Sequence, residues 1–329
     1  MVSIQSTAGS FQFRTNEIAY GVRVSIRDGE GYVDRLPLEQ KWSEAGYACD
    51  YPALTVVSDG TRWIAWLAHK DKADEVMVSN GSKVFHISGR GDLHAPAIAS
   101  DGKDRVQVVW PGQENGTFYL YGSVFRNGSW SKPGSKPEKL AAGGGNNLAP
   151  QLASDGLGHM ALVWQGFRNR QSVALARLWN GNGWTTEQVV SEGSGNSWAP
   201  SAAYGGGKLW LAWGSYASGA YQIYAREWQQ PVTRVTPGDN FSVRALIAVT
   251  ASGKPVIAWE ESDALWGKDF SYIVDRRGTV EYKNRRVRVA YLDGAEWKEI
   301  AAPVADSMPP EIRRFLQQPQ IAFDSAGRL

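Results

Sequence analysis

Four carboxylates crowd one stretch of this 329-residue chain: Glu260, Glu261, Asp263 and Asp269, with Trp266 among them. Two carboxyl groups held about 5–10 Å apart are what glycoside hydrolysis needs, one as proton donor and one as nucleophile or base. The same oxygens suit a hard cation such as Ca²⁺. A solvated acidic loop is the plainer reading of the same residues. Arginine supplies the complementary chemistry, since its fork of donors grips a carboxylate or sulfate bidentately. Arg168 and Arg170 are placed for this, as is Arg244, which falls where the neighbouring units carry Pro. Trp198 and Trp266 offer aromatic faces of the kind that stack on sugars. An Asp or Asn recurs upstream of each unit described below: Asp50, Asp92, Asn147, Asn196 and Asn240, with His94 close to the second. Such residues either cap their own loops or form a polar ring that binds a ligand. The sequence contains no EF-hand spacing, no His pair at metal-binding spacing, no phosphate-binding glycine loop and no nucleophile elbow. No metal site or resident cofactor is expected, and Ca²⁺ has no motif behind it.

The elements that must hold these residues come from an internal repeat. Five similar units begin at Pro52, Pro96, Pro150, Pro200 and Ala245, each continuing through an apolar segment and a Gly turn to a second apolar run. That run ends in Trp66, Trp110, Trp164, Trp213 and Trp259. A strand-bearing period of about 40–50 residues marks a β-propeller. In the third unit Gln151–Ser154, His159–Trp164, Val173–Trp179 and Trp184–Val190 read as strands A to D, with Gln165–Gln171 as a polar loop. Asp-Gly and Asn-Gly pairs supply hairpin turns that tolerate positive φ. The fold class is therefore all-β, a propeller of four-stranded antiparallel blades. The blades span about 51–93, 95–147, 149–197, 199–240 and 243–304. The repeated Trp residues are expected to pack between blades.

The ends complement each other. Ala19–Ile26 and Tyr32–Leu36 read as strands C and D without A or B, and Gln320–Phe323 reads as a strand A. A sixth blade built from 17–37 and 318–329 would close one propeller domain, removing free edges. Strand B of that blade is missing, so the chain is expected to be a fragment of a longer protein. Ser307, Pro309 and Pro310 open a short helix over 306–316.

The unit Ala-Pro-x-hydrophobic-Ala-Ser-Asp-Gly…Val-Val-Trp, carried by Ala95–Trp110 and Ala149–Trp164, resembles bacterial propellers of the TolB-like and sialidase-like groups. Val57-Ser-Asp-Gly-Thr-Arg-Trp63 is similar to a sialidase Asp-box with altered spacing. The resemblance spans nearly the whole chain and implies that binding residues lie on the D-to-A and B-to-C loops of one face, around the central channel. The B-to-C set there includes His69–Glu75, Ser215–Tyr221 and Glu260–Phe270.

Charge and cysteine usage narrow the classes. Net charge is +2 with both signs interspersed, which argues against a nucleic-acid partner. No run of 18 apolar residues indicates membrane insertion. Cys49 is the single cysteine, so no internal disulfide forms. The start of the chain carries no signal-peptide pattern, while the resemblance implies an extracytoplasmic bacterial setting. With no recognisable catalytic constellation, the leading expectation is a non-catalytic recognition module. Its glycan or protein ligand would meet Trp198, Trp266, Arg244, Asn147, Asn196, Asp92, His94 and Arg168. The alternative is a sialidase-like glycoside hydrolase or lyase using Glu260, Glu261, Asp263 or Asp269. A further alternative is a scaffold for a catalytic domain beyond Leu329.

Overall fold

The structure is a computed structural model that describes residues 20–27, 30–37, 43–131, 137–141, 143–193, 195–217, 219–264, 285–300, 319–323 and 326–329. Among these residues every regular element is a β-strand. The helix expected over 306–316 lies outside them, as do Trp266 and Asp269. A hairpin of β1 (Tyr20–Arg27) and β2 (Glu30–Pro37) comes first, where the sequence leads one to expect two terminal strands.

The rest of the chain divides into two compact units, one containing residues 33–190 and the other 191–329. The first unit holds three antiparallel sheets. One is β3 (Ala48–Val56), β4 (Arg62–Lys70), β5 (Ala73–Ser79) and β6 (Val84–His86), hydrogen-bonded in that order. The next is β7 (Ala97–Ser100), β8 (Val106–Glu114) and β9 (Thr117–Arg126), whose outer edge pairs with two short strands, β10 (Ser129–Trp130) and β11 (Glu138–Ala141). The third is β12 (Asn147–Ser154), β13 (Met160–Arg168), β14 (Gln171–Trp179) and β15 (Gln188–Val189). The second unit holds two more: β16 (Asn196–Gly205), β17 (Lys208–Ala217), β18 (Ala220–Glu227) and β19 (Thr233–Arg234), then β20 (Phe241–Val249), β21 (Pro255–Ser262), β22 (Arg286–Asp293) and β23 (Glu296–Ile300). These are five propeller blades; in four of them sequence neighbours pair throughout, and in the second β9 takes both β10 and β11 on its outer edge.

Strand parity explains the core. Successive side chains point to opposite faces of a strand, so within each unit a blade can present one apolar set to one neighbour and a second set to the other. On β8, Val106, Val108 and Trp110 pack with Trp63, Ala65 and Leu67 of β4. Val109 packs the other way, with Leu162 and Trp164 of β13. Ile257 and Trp259 of β21 pack against Trp210 and Ala212 of β17. Trp110, Trp164, Trp213 and Trp259 are all fully buried. The A-to-B turns of adjacent blades also meet. A side chain on Gly102, at φ 78°, would collide with the Gly156 carbonyl oxygen at 2.0 Å.

Two expectations need correction. Gln165–Gln171 is no loop: β13 and β14 run on through it and join at Asn169 and Arg170, both at positive φ (49° and 67°). Asp71-Lys72 and Asn115-Gly116 make the same two-residue turn, whose twist matches that of the flanking strands. His69 to Glu75 and Gln113 to Asn115 are thus strand ends around a tight turn. In addition, Gln320–Phe323 forms no strand. Ile321 and Phe323 instead pack on Val256, Ala258 and Val289, so the tail contributes apolar burial without ladder hydrogen bonds.

Candidate functional site

A bulge recurs in the first strand of four blades. Tyr51, Ala149, Ala199 and Arg244 sit in the left-handed region, at φ 51°, 49°, 44° and 56°. Pairing with the second strand shifts register across each of them. Pro52, Pro150 and Pro200 follow at a position where the bulge makes no demand for an N–H donor. Holding a non-glycine residue there costs on the order of 1–3 kcal/mol, and the distortion re-aims the residues just before it.

This register corrects the sequence alignment. Arg244 stands where other blades carry Tyr51, Ala149 and Ala199, and Ala245 takes the Pro position. Trp198 aligns with Asp50, Leu148 and Val243. The recurring Asp and Asn residues are not equivalent either. Asp50, Asn147, Asn196 and Asn240 lie one, two, three and four residues before the bulge, so no ring of matched polar groups forms.

The acidic cluster is resolved by the same parity. Glu260 and Glu261 are on β21 rather than a loop, and they point to opposite faces. Only 1% of Glu260 is exposed, and its carboxylate takes Arg244 Nη1 at 3.2 and 3.3 Å. Glu261, 4% exposed, shares its face with Trp259 and is turned toward β17 and β18. Arg286 stands directly opposite it on β22 and donates from Nε at 2.7 Å and Nη2 at 2.6 Å to Glu261 Oε1. Asn240 Nδ2 donates to the same oxygen at 3.3 Å, and Arg288 Nε lies 4.0 Å away. Arg286 Nη1 also reaches Asp263 Oδ1 at 3.8 Å. Asp263, just past the end of β21, is thereby brought to the same guanidinium as Glu261. Beside them Ser242, paired in register with Glu261, is fully buried with a hydroxyl that finds no hydrogen-bond partner among the described residues.

An aromatic shelf adjoins the carboxylates. Tyr216 and Tyr221 face each other across the β17–β18 hairpin, ring centroids 4.7 Å apart. Tyr221 stands 5.5 Å from Trp198 and 5.0 Å from Phe241, the residue next to Ser242. Phe241 is buried, whereas Trp198, Tyr216 and Tyr221 are partly open to solvent. Gly214 pairs with Trp198 and leaves the shelf clear, since a side chain there would meet nothing nearer than 3.9 Å.

The other expected residues lie elsewhere. Asn147 is wholly buried: its Nδ2 donates to the carbonyls of Phe118 (3.2 Å) and Gly145 (2.8 Å), and its Oδ1 accepts from Trp164 Nε1 (3.0 Å) and Arg168 Nη2 (2.9 Å). Arg168 also holds Glu187 bidentately at 2.8 and 2.7 Å. That network ties blades together. His94 packs on Phe118 at 4.8 Å, and the Asp92 carbonyl accepts the Gln113 N–H at 2.9 Å. Asn196 is exposed, and its carbonyl accepts the Ser215 hydroxyl at 3.0 Å. No cluster of three or more His, Cys, Asp or Glu disposed for a metal occurs among the described residues.

Arg286, Arg288 and Ser242 escape a reading of loops because they lie inside strands. One signal does mark the site. Two residues after each repeated Trp the chain carries Ala68, Gly112, Gly166 and Ser215, and then Glu261. Four blades close-pack a small residue at that position, and the fifth places a buried carboxylate there.

No family model matches the chain, and no curated protein matches it. Solved structures do. An ulvan lyase, a polysaccharide lyase, aligns with TM-score 0.53 at 13% identity over 82% of this chain and 76% of its own. An α-L-arabinanase of Penicillium chrysogenum complexed with arabinobiose aligns with TM-score 0.49 at 11% identity, covering 80% of this chain and 84% of the enzyme. A neuraminidase-like protein of A/little yellow-shouldered bat/Guatemala gives 0.45 at 6% identity, over 68% and 93%. The chain is thus similar to sialidase-like propellers at the level of fold. The aligned polysaccharide lyase is an enzyme, and that withdraws the non-catalytic recognition module as the leading reading.

Proposed function

We propose that the protein is a glycan-active enzyme whose working groups are Glu261 and Asp263, with Trp198, Tyr216 and Tyr221 as the surface on which a sugar ring stacks. The observation that carries this is Glu261, a buried carboxylate at a position that is small in four other blades. Residues that break a repeat's own rule mark functional sites. As a glycoside hydrolase, the enzyme uses Glu261, fixed by Arg286 and Asn240, to meet the developing positive charge at the anomeric carbon. Asp263, with about a third of its side chain exposed, exchanges protons with solvent. Both carboxylates lie against one guanidinium, Glu261 at 2.6 Å and Asp263 at 3.8 Å from Arg286, which brings together the two acids that glycoside hydrolysis uses.

A lyase is the second reading, favoured by the likeness to a polysaccharide lyase and by the cross-strand tyrosine pair of the aromatic shelf. In it Arg286 neutralises a uronate carboxylate, Tyr216 or Tyr221 removes the proton on the carbon beside it, and the glycosidic oxygen leaves from the next carbon, taking up a proton as the C=C bond forms. Polymeric substrates are met outside the cytoplasm, so either reading goes with an extracytoplasmic setting in a bacterium. The test is turnover on neutral arabinan and xylan, sialylated glycans and uronate polysaccharides, with products identified by mass spectrometry. Hydrolysis adds water to the products, whereas a lyase leaves an ultraviolet-absorbing double bond. Glu261→Gln and Asp263→Asn each lower turnover by about 10²–10⁴-fold. Turnover that survives both substitutions overturns the assignment.

A further inference from the structure

The A-to-B and C-to-D turns of the second and third blades enclose a cleft of about 670 Å³, lined among others by Arg105, Ser129, Glu138, Trp179, Asn182 and Trp184. This size is in the usual range for small-ligand sites, about 300–1,000 Å³. It lies at the opposite strand ends from the B-to-C turns of those blades and includes none of the carboxylates assigned to catalysis.

Arg105 is the unusual group. It is 92% buried, its exposure being 8%. Its guanidinium lies over the Trp179 ring, 3.8 Å from the centroid, and Nη2 donates to Gln107 Oε1 at 2.6 Å. Its Nε makes no hydrogen bond, and no carboxylate forms an ion pair with it among the described residues. Burial lowers its pKa by more than the carboxylates of Asp101, Glu138 and Asp104 restore, and the Arg126 cation on the same lining lowers it further. Asp101 is itself committed to its own turn, accepting from the N–H groups of Lys103 at 2.9 Å and Arg105 at 3.2 Å. A buried cation without a paired anion is costly, and a ligand anion would offset that cost. Trp184 meets Trp179 edge-on, with centroids 5.8 Å apart. Two indoles beside Ser129 and Asn182 give an apolar wall with a hydrogen-bonding rim.

We infer that this cleft binds a saccharide bearing a carboxylate, with its acid group against Arg105 and its ring against the indoles. The choice of a saccharide among possible carboxylate compounds rests on the glycan-active reading. Glu138, exposed on the lining, tunes the site by repelling the same acid group.

The experiment is calorimetric titration of the whole chain with tri-galacturonate and with its methyl ester. Tri-galacturonate binds at least tenfold more tightly than the ester. Ser129→Trp fills the cleft from the exposed start of β10 and abolishes that binding, while Glu138→Gln tightens it several-fold. Arg105→Lys keeps a cation but loses the planar fork, and it removes most of the preference over the ester. Equal affinity for the two probes, no binding of either, or indifference to Ser129→Trp and Glu138→Gln overturns the proposal. Ser129→Trp leaves polysaccharide turnover unchanged, so failure here and failure of the catalytic assignment are read from different measurements.

Discussion

Replacing Arg286 by Met tests whether Glu261 is held as the geometry indicates. Glu261 is 4% exposed and takes two donors from Arg286, at 2.6 and 2.7 Å. Stripping the partner from a fully buried charge costs about 3–5 kcal/mol. Two features lower the figure here. The Arg286 side chain is 31% exposed, so water screens part of the attraction. Asn240 at 3.3 Å and Arg288 at 4.0 Å also remain beside the carboxylate. The expected loss is about 2–3 kcal/mol. Glu261→Gln keeps the shape and surrenders the charge; Arg286 retains Asp263 and solvent, and the loss is about 1 kcal/mol. With both changes made, no buried charge is stranded, and the double variant is about 1–2 kcal/mol more stable than the sum of the single losses requires. Urea unfolding of the four proteins at pH 7 measures this as shifts in midpoint at constant slope. A coupling energy within error of zero would refute the claim that this ion pair positions the glutamate.

The bulge makes a prediction of unusual sign. Ala149→Gly and Ala199→Gly replace residues held at φ 49° and 44°, where an L side chain costs about 1–2 kcal/mol. Each substitution raises the thermal midpoint, against the ordinary loss when Ala becomes Gly, and a fall at both sites would show that the bulge carries no strain. Asp155 gives the pH dependence. Partial burial pushes its pKa up, but the N–H of Leu157, the His159 ring and the His159 N–H together bring it below the ordinary carboxylate value. A depressed folded pKa contributes stability that is complete above the unfolded value of about 3.9 and is lost as pH falls through the folded value. Asp155→Asn is therefore less stable than the parent at neutral pH by a margin that shrinks below about pH 4, measured by urea unfolding across the acid range. A margin constant down to pH 2 would count against it.

The fold was legible in the chain because a repeated unit states its own period five times. All five repeated indoles are at most 4% exposed; Trp110, Trp164 and Trp259 pack on the preceding blade, whereas Trp66 packs with Ala68 and Met77 of its own blade. The site was legible only in outline. Spacing placed Glu260 and Glu261 together as neighbours in an acidic loop, but a strand sends neighbours to opposite faces, and Arg244 and Arg286 take one each. Arg286 itself is invisible to a reading of loops, because its position is fixed by cross-strand register with Glu261, a relation between residues 25 apart in sequence. The bulge hid the alignment in the same way. Counted from the common bulge at Tyr51, Ala149, Ala199 and Arg244, the similar-looking Asp and Asn residues fall at four different distances and so occupy four different structural positions. Aligning instead on the tryptophans, which no bulge separates from the strand that follows, isolates Glu261 at once. In a repeat protein a residue's chemistry becomes informative when read against the packing its equivalents satisfy: Ala68, Gly112, Gly166 and Ser215 show that the position closes with a small side chain. A glutamate there, together with the arginine that holds it, calls for an explanation other than blade packing.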